Sequence, residues 1–164
     1  MNTVNLSRRG LLLGLSTLAV VAITGTGAAA ERTAVAVLVS KKSKLNELSF
    51  GTLRRLFQAK VVNDPDGGRL VPINLPAANP VRQAFDRAVL KMDPDEVGRY
   101  WIDQSIRGRA KPPRTADSVG AMIRMLEKNA AAVGYAPMAA VTAHARLLRV
   151  DGKVPSDEGY AVVA

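Results

Sequence analysis

The sequence of 164 residues contains no cysteine, one histidine and one tryptophan. Without cysteine there can be no disulfide, no thiolate nucleophile and no cysteine-based metal site. His144 is the single histidine, and no carboxylate lies at ligand spacing from it, so we expect no metal site and no cofactor. A Ser–His–Asp triad would have to use His144, and the chain has no nucleophile-elbow motif. We therefore expect a protein that is not an enzyme.

Glycine-rich phosphate loops of the Walker or Rossmann type are also missing. Aromatic residues make up 4% of the chain and are not interleaved with its basic residues. Stacking sites for nucleic acid need such interleaved aromatics, so we expect no nucleic-acid partner. The chain nevertheless carries a formal net charge of +9 at pH 7. That charge favours other anionic partners: phosphate-like solutes, lipid head groups or polyanions.

The first 30 residues have the pattern of an export signal. Arg8 and Arg9 precede an apolar run, Leu11 to Ile23, that has the length of a signal h-region and is too short for a comfortable membrane span. Alanines at positions 28–30 supply the small residues of a cleavage site. A twin arginine before such a run is typical of twin-arginine export. An ordinary Sec signal and a retained N-terminal anchor are the alternatives.

The chain is therefore predicted to consist of a signal over residues 1–30 and one α/β domain over residues 31–164. Loss of the signal with Arg8 and Arg9 leaves 21 basic and 14 acidic residues, a net charge of +7. The domain would be periplasmic, and it would contact the membrane only through an uncleaved signal.

Hydrophobic periodicity predicts strands that alternate with helices. The strands are expected at Thr33–Val39, Arg69–Asn74, Ala131–Tyr135 and Ala145–Val150, and the helices after Ser49, Asn79, Asp93 and Asp117. Pro72 argues for an edge position or a local irregularity within the second strand. Trp101 is expected to anchor the core. Such alternation favours a single three-layer lobe, in which helices flank a mostly parallel sheet.

The turn between the second strand and the second helix, Leu75–Val81, is the first candidate for a ligand site. Asn79 suits an N-cap, and Pro80 suits the first helical position. Free amides and the positive end of the helix dipole attract anions at such a start, and Arg82 adds a positive charge. Ligands of α/β sheets bind outside the carboxyl ends of strands, where this turn lies. Alternatively, the joint binds nothing, like most strand–loop–helix joints.

A second basic segment follows the third predicted helix. Arg107, Arg109, Lys111 and Arg114 crowd one proline-containing loop. They are expected to contact an anion or an acidic partner if the loop approaches the turn. A solvated basic loop is an equal alternative. The candidate ligand contacts are Asn79, Val81, Arg82 and Arg109.

In their order and spacing, these segments resemble the periplasmic phosphate-binding proteins of ABC uptake systems, which have the type 2 periplasmic binding fold. The stretches that carry the likeness are Thr33–Val39, Leu48–Lys60, Val71–Asn74, Val81–Phe85, the region of Trp101, Gly108–Pro113 and Ala132–Tyr135. Val71–Asn74 and Val81–Phe85 resemble the strand and helix that flank the family's phosphate-holding serine-glycine-threonine turn. The resemblance implies a short, stand-alone member that supplies one lobe, about half of a full binding protein.

Two departures from the family pattern concern the ligand. The family clamps its ligand between two lobes, and a single lobe leaves an anion exposed to water, which screens each interaction. Asn79, Pro80 and Val81 stand where the family has serine, glycine and threonine, and Leu75 stands where an anion-binding arginine is expected. Valine has no hydroxyl to donate, and proline lacks even an N–H. The helix start, the Asn79 amide and Arg82 remain.

We therefore predict an exported, non-enzymatic domain that binds phosphate or another small oxyanion weakly. An ABC permease or another periplasmic protein is its expected partner. The alternative is an interaction protein that has kept the fold, lost the ligand, and contacts a protein or membrane partner through its basic surface. A concave, positive pocket at the turn would favour the first prediction, and a flat or self-filled turn the second.

Overall fold

A computed structural model of the protein describes residues 34–163. The predicted signal, with Arg8 and Arg9, lies outside this range. The elements are β1 (Val35–Ser40), β2 (Glu47–Leu48), α1 (Phe50–Phe57), β3 (Val71–Asn74), α2 (Pro80–Phe85), α3 (Pro94–Ile106), β4 (Arg114–Thr115), α4 (Val119–Lys128), β5 (Ala132–Pro137), β6 (Ala145–Leu147) and β7 (Arg149–Val150). A π-helical turn, Asp86–Leu90, continues α2, and a 3₁₀ turn, Met138–Ala140, follows β5.

Five strands form one sheet in the order β4-β3-β5-β1-β6. β3 is parallel to β4 and β5, whereas β1 is antiparallel to β5 and β6. Four strands therefore run in one direction and β1 alone runs in the other, which makes the sheet mixed. The predicted α/β lobe is confirmed.

One predicted strand, Ala145–Val150, is instead two. β6 pairs with β1, and β7 pairs with β2 in a separate two-stranded parallel sheet. The break falls at Leu148, which is buried and donates its N–H to the carbonyl of Val37 at 2.8 Å. Two-residue strands such as β2 and β7 carry too few positions for a hydrophobic period, so the sequence pattern did not reveal this pairing.

The centre of the sheet is the most deeply buried part of the fold. All six residues of β1 are buried, as expected of an apolar run that is covered on both faces. β1 pairs with β5 over five positions, from Val35 opposite Pro137 to Val39 opposite Val133. This pairing brings the amino-terminal and carboxy-terminal halves of the domain together.

Pro72 lies where β3 is open on one side. β5 pairs with Val71 and Pro72, whereas β4 pairs only with Ile73 and Asn74. Proline cannot donate to a ladder, so it is tolerated where one neighbouring strand is missing. β3 is internal to the sheet, but its first half is a local edge.

The helices begin at side chains that cap them. Ser49 accepts a hydrogen bond from the N–H of Thr52 at 3.1 Å, and Asp93 and Glu96 form a reciprocal capping box. α4 begins at Val119 and is capped by Ser118, which agrees with a helix that follows Asp117. No helix within residues 34–163 is both long enough and apolar enough to cross a membrane.

Three aromatic rings fix α2 against the sheet. Phe85 of α2 stacks on Tyr135 of β5 with ring centroids 3.9 Å apart, and Phe57 of α1 meets the edge of both rings. All three side chains are almost completely buried. Contacts of this kind add to the stabilisation by burial and set the orientation of the rings. They therefore hold α2, through its last residue, against the sheet beyond the end of β3. Trp101, also buried, anchors α3 to the core as predicted.

Candidate functional site

The turn between β3 and α2 has the predicted helix-start geometry. The Oδ1 of Asn79 accepts the N–H of Val81 at 2.9 Å, and the N–H of Asn79 donates to the carbonyl of Pro76 at 2.9 Å. Pro80 is the first residue of α2. The side-chain oxygen of Asn79 is used by the bond from Val81, which leaves the Nδ2 group of the same side chain as a donor.

Arg82 is buried, and its guanidinium is held within the fold. Nε donates to Oδ2 of Asp86 at 2.5 Å, and Nη1 donates to the carbonyl of Leu75 at 3.1 Å. The Arg82 and Asp86 side chains are only 8% and 7% exposed. Burial raises the pKa of the Asp86 carboxyl, and the charge of Arg82 opposes this rise. Most of the positive charge that Arg82 brings to the turn is therefore neutralised locally.

A second set of buried polar groups supports the same turn. The hydroxyl of Tyr135 accepts the N–H of Leu75 at 3.2 Å and lies 3.3 Å from the Oδ1 of Asn74, to which it donates. Burial raises the pKa of Tyr135 well above its usual range, so the phenol keeps its proton. These contacts hold the end of β3 against β5.

The turn is therefore filled mainly by its own groups. Its exposed residues are Ala77, Ala78 and Pro80, which carry no polar side chain. The backbone N–H groups of Leu75, Asn79 and Val81 already donate within the fold, so the Nδ2 of Asn79 is the side-chain donor best placed to meet an anion. This geometry supports at most a shallow, water-exposed site.

The basic loop between α3 and β4 lies toward the other end of β3. Residues 111–114 line a surface cavity of about 340 Å³ with Lys60 and residues 69–72, at the start of that strand. Asn79 follows the end of the strand. Arg109 is exposed and lines an adjoining cavity on the same loop. The structure thus places the two predicted halves of the site at opposite ends of β3, and Arg109 stays a predicted ligand contact.

The ion pair between Arg82 and Asp86 has a signal in the local sequence that the predictions above did not include. Asp86 follows Arg82 by four residues, the spacing of a helical ion pair, and this pattern could have revealed the pairing. The contact between Asn74 and Tyr135 joins residues 61 apart in the chain and had no local signal.

Within residues 34–163, no three His, Asp or Glu side chains are arranged to hold a metal ion. His144 is exposed, and its Nδ1 lies 3.4 Å from a carboxylate oxygen of Glu127. The side chain of His144 is 63% exposed and that of Glu127 is 50% exposed, so this contact lies at the protein surface.

No protein-family model matches the chain, and no curated protein matches it by sequence. Several solved structures have a similar fold. An ABC-type phosphate transport receptor from Vibrio cholerae aligns with a TM-score of 0.65 at 12% sequence identity, over 80% of this chain and 54% of that chain. A protein from Clostridium perfringens, described as a phosphate ABC transporter substrate-binding protein with bound phosphate, aligns with a TM-score of 0.64 at 17% identity, over 80% of this chain and 53% of that chain. PstS from Borrelia burgdorferi aligns with a TM-score of 0.61 at 13% identity, over 80% of this chain and 55% of that chain.

At these identities the likeness shows the fold alone. The chain spans about half the length of each of these structures. The predicted resemblance to one lobe of a phosphate-type binding protein is therefore confirmed as a likeness of fold. The similar structures are transport proteins rather than enzymes.

Proposed function

We propose that this domain is a phosphate-binding-like lobe that binds phosphate or another small oxyanion weakly at the turn between β3 and α2. The observation that carries the proposal is the fold, which 80% of the chain shares with three phosphate-transport proteins, one of them with bound phosphate. In α/β sheets, ligands lie beyond the carboxyl ends of strands and near helix starts, which is where this turn lies. The proposed role is non-enzymatic and follows export to the periplasm.

The proposed contacts are the Nδ2 of Asn79 and, beside Val81, the positive charge of Arg82. Arg109 belongs to the basic loop toward the other end of β3, and we propose that it attracts the anion at long range rather than contacting it. Asp86 offsets the charge of Arg82, and water screens the open side of the turn. The affinity should therefore be low: a Kd of about 1 mM corresponds to about −4 kcal/mol. The net positive charge of the chain favours the approach of an anion.

We also propose that a second protein, such as an ABC permease or another periplasmic protein, works with this chain, because two of the similar structures are described as parts of ABC-type phosphate transport. The self-filled turn is also what the alternative, a lobe that has lost its ligand, would display. A titration with oxyanions separates the two.

The test is isothermal titration calorimetry of the protein with phosphate, sulfate and a phosphonate at millimolar concentrations. Asn79→Asp keeps an oxygen that caps α2 but replaces the Nδ2 donor by a negative charge, so binding should be lost while the fold is retained. Ser49→Asp is the matched control, because it adds the same charge at the N-cap of α1. This control should bind as the parent protein does.

Absence of heat with all three anions would refute the proposal. So would an equal loss of binding in the Asn79→Asp and Ser49→Asp variants, because binding would then follow net charge rather than the turn. Circular dichroism of both variants checks that they are folded.

A further inference from the structure

A groove at the amino end of β3 carries basic side chains without acidic partners. A surface cavity of about 340 Å³ opens there, on the face of the sheet that α1 covers. The basic residues that line it are Lys60, Arg69, Lys111 and Arg114. All four are exposed, and none forms a salt bridge with any residue in the part of the chain that the structure describes. Among the described residues, none that lines this cavity is acidic.

The floor of this groove is apolar. Val71 lines the cavity and is 36% exposed although it belongs to a strand, Pro72 is half-buried beside it, and Pro112 is exposed. The floor is open because β4 pairs only with the second half of β3. An apolar floor with a basic rim offers two kinds of contact at once, burial of apolar side chains and pairing with carboxylates.

We propose that the groove is a docking site for an acidic peptide segment of a partner protein, with apolar side chains between its carboxylates. Charge complementarity argues for this occupant, since the described lining of the cavity holds four cations and no acid. Inorganic phosphate has no apolar surface to cover Val71 and Pro72. A lipid bilayer presents a flat surface, which does not fit a concave groove.

The docking site is independent of the proposed oxyanion site. The groove lies at the start of β3, and the Asn79 turn follows the end of the same strand. Loss of binding at one should therefore leave the other intact.

Fluorescence anisotropy of a labelled ten-residue peptide with alternating glutamate and leucine tests the proposal. The double variant Arg69→Glu/Arg114→Glu should weaken binding by about tenfold or more, because two attractive contacts become repulsive. Arg87→Glu/Arg99→Glu is the matched control: both arginines are exposed and neither lines the groove. It changes the net charge equally and should alter the Kd by less than about threefold, an effect of long-range charge alone.

A second probe tests the apolar floor. A peptide with serine in place of leucine should bind several-fold more weakly, and Val71→Ser should weaken binding of the leucine peptide. Equal binding of the two peptides, or equal weakening in the two double variants, would overturn the proposal. So would tighter, groove-dependent binding to phosphatidylglycerol vesicles, which would make the surface a membrane contact.

Discussion

The two ends of β3 use positive charge in opposite ways. At its carboxyl end, Arg82 is buried and is held by Asp86 and by a backbone carbonyl. At its amino end, Arg69 and Arg114 are exposed and lack acidic partners among the described residues. A buried charge must be paired because removal from water is costly, whereas an exposed charge need not be. Arginine therefore stabilises the fold at one end and stays available to a ligand at the other.

The largest effect is expected from Arg82→Ala. This change leaves the Asp86 carboxylate buried without its partner, so the free energy of unfolding should fall by about 3–5 kcal/mol. Arg69→Ala, which removes an exposed arginine at the other end of the strand, should change it by less than about 0.5 kcal/mol. Urea unfolding of the two variants measures the difference.

A double variant, Arg82→Leu/Asp86→Leu, sharpens this test. It removes both charges and should recover much of the lost stability, because no unpaired charge remains. The carbonyl of Leu75 would still lose its donor, at a cost of about 1–3 kcal/mol. If Arg82→Ala and Arg69→Ala proved equally stable, the contrast between the two ends would be wrong.

Tyr135→Phe should have the next largest effect. It leaves the buried N–H of Leu75 and the side chain of Asn74 without their shared partner, which should lower stability by about 1–3 kcal/mol. Tyr100→Phe is the control, since its hydroxyl reaches only the carbonyl of Gln58 at 3.3 Å from a half-buried position. The midpoint of thermal unfolding should be clearly lower for Tyr135→Phe than for Tyr100→Phe. The reverse order would show that the turn does not need the hydrogen bonds of Tyr135.

A smaller effect on the free energy of unfolding is expected at alkaline pH, and it tests the burial of Tyr160. Tyr160 is buried and donates to the carbonyl of Val35 at 3.0 Å, and burial raises its pKa to about 12. The unfolded tyrosine loses its proton near pH 10, so between about pH 10 and 12 the folded state holds more protons and stability falls as pH rises. Tyr160→Phe should flatten this fall in unfolding experiments at stepped pH. A slope unchanged by this substitution would contradict the assignment.

The smallest effect is expected from Arg114→Gln. Its neighbours in the groove are basic, so loss of one charge relieves repulsion and should raise the free energy of unfolding slightly, by less than about 0.5 kcal/mol. Added salt should reduce the difference, because it screens exposed charges. A clear loss of stability at low salt would mean that Arg114 has a structural partner.

The sequence predicted best what depends on neighbours along the chain. Three helix caps accept a hydrogen bond from a backbone N–H two or three residues later, so they can be predicted from the local sequence: Ser49, Asn79 and Asp93. The pairing of β2 with β7 joins distant two-residue segments and left no such pattern.

The candidate site shows the same division. Asn79 was identified as a helix start from its own segment. The burial of Arg82 could not be predicted from that segment, because it depends on how α2 packs against the sheet. The groove could not be predicted either, because Lys60, Arg69 and Lys111 come from separate segments that only the fold brings together.

The most direct test of the proposed oxyanion site is a phosphate titration followed by amide shifts in ¹H–¹⁵N NMR spectra of the protein. We expect shifts concentrated at the amides of residues 77–79, 81 and 82, saturating at millimolar phosphate and absent in Asn79→Asp. A titration that leaves these amides unchanged, or that moves only groove residues such as Arg69 and Arg114, would contradict it.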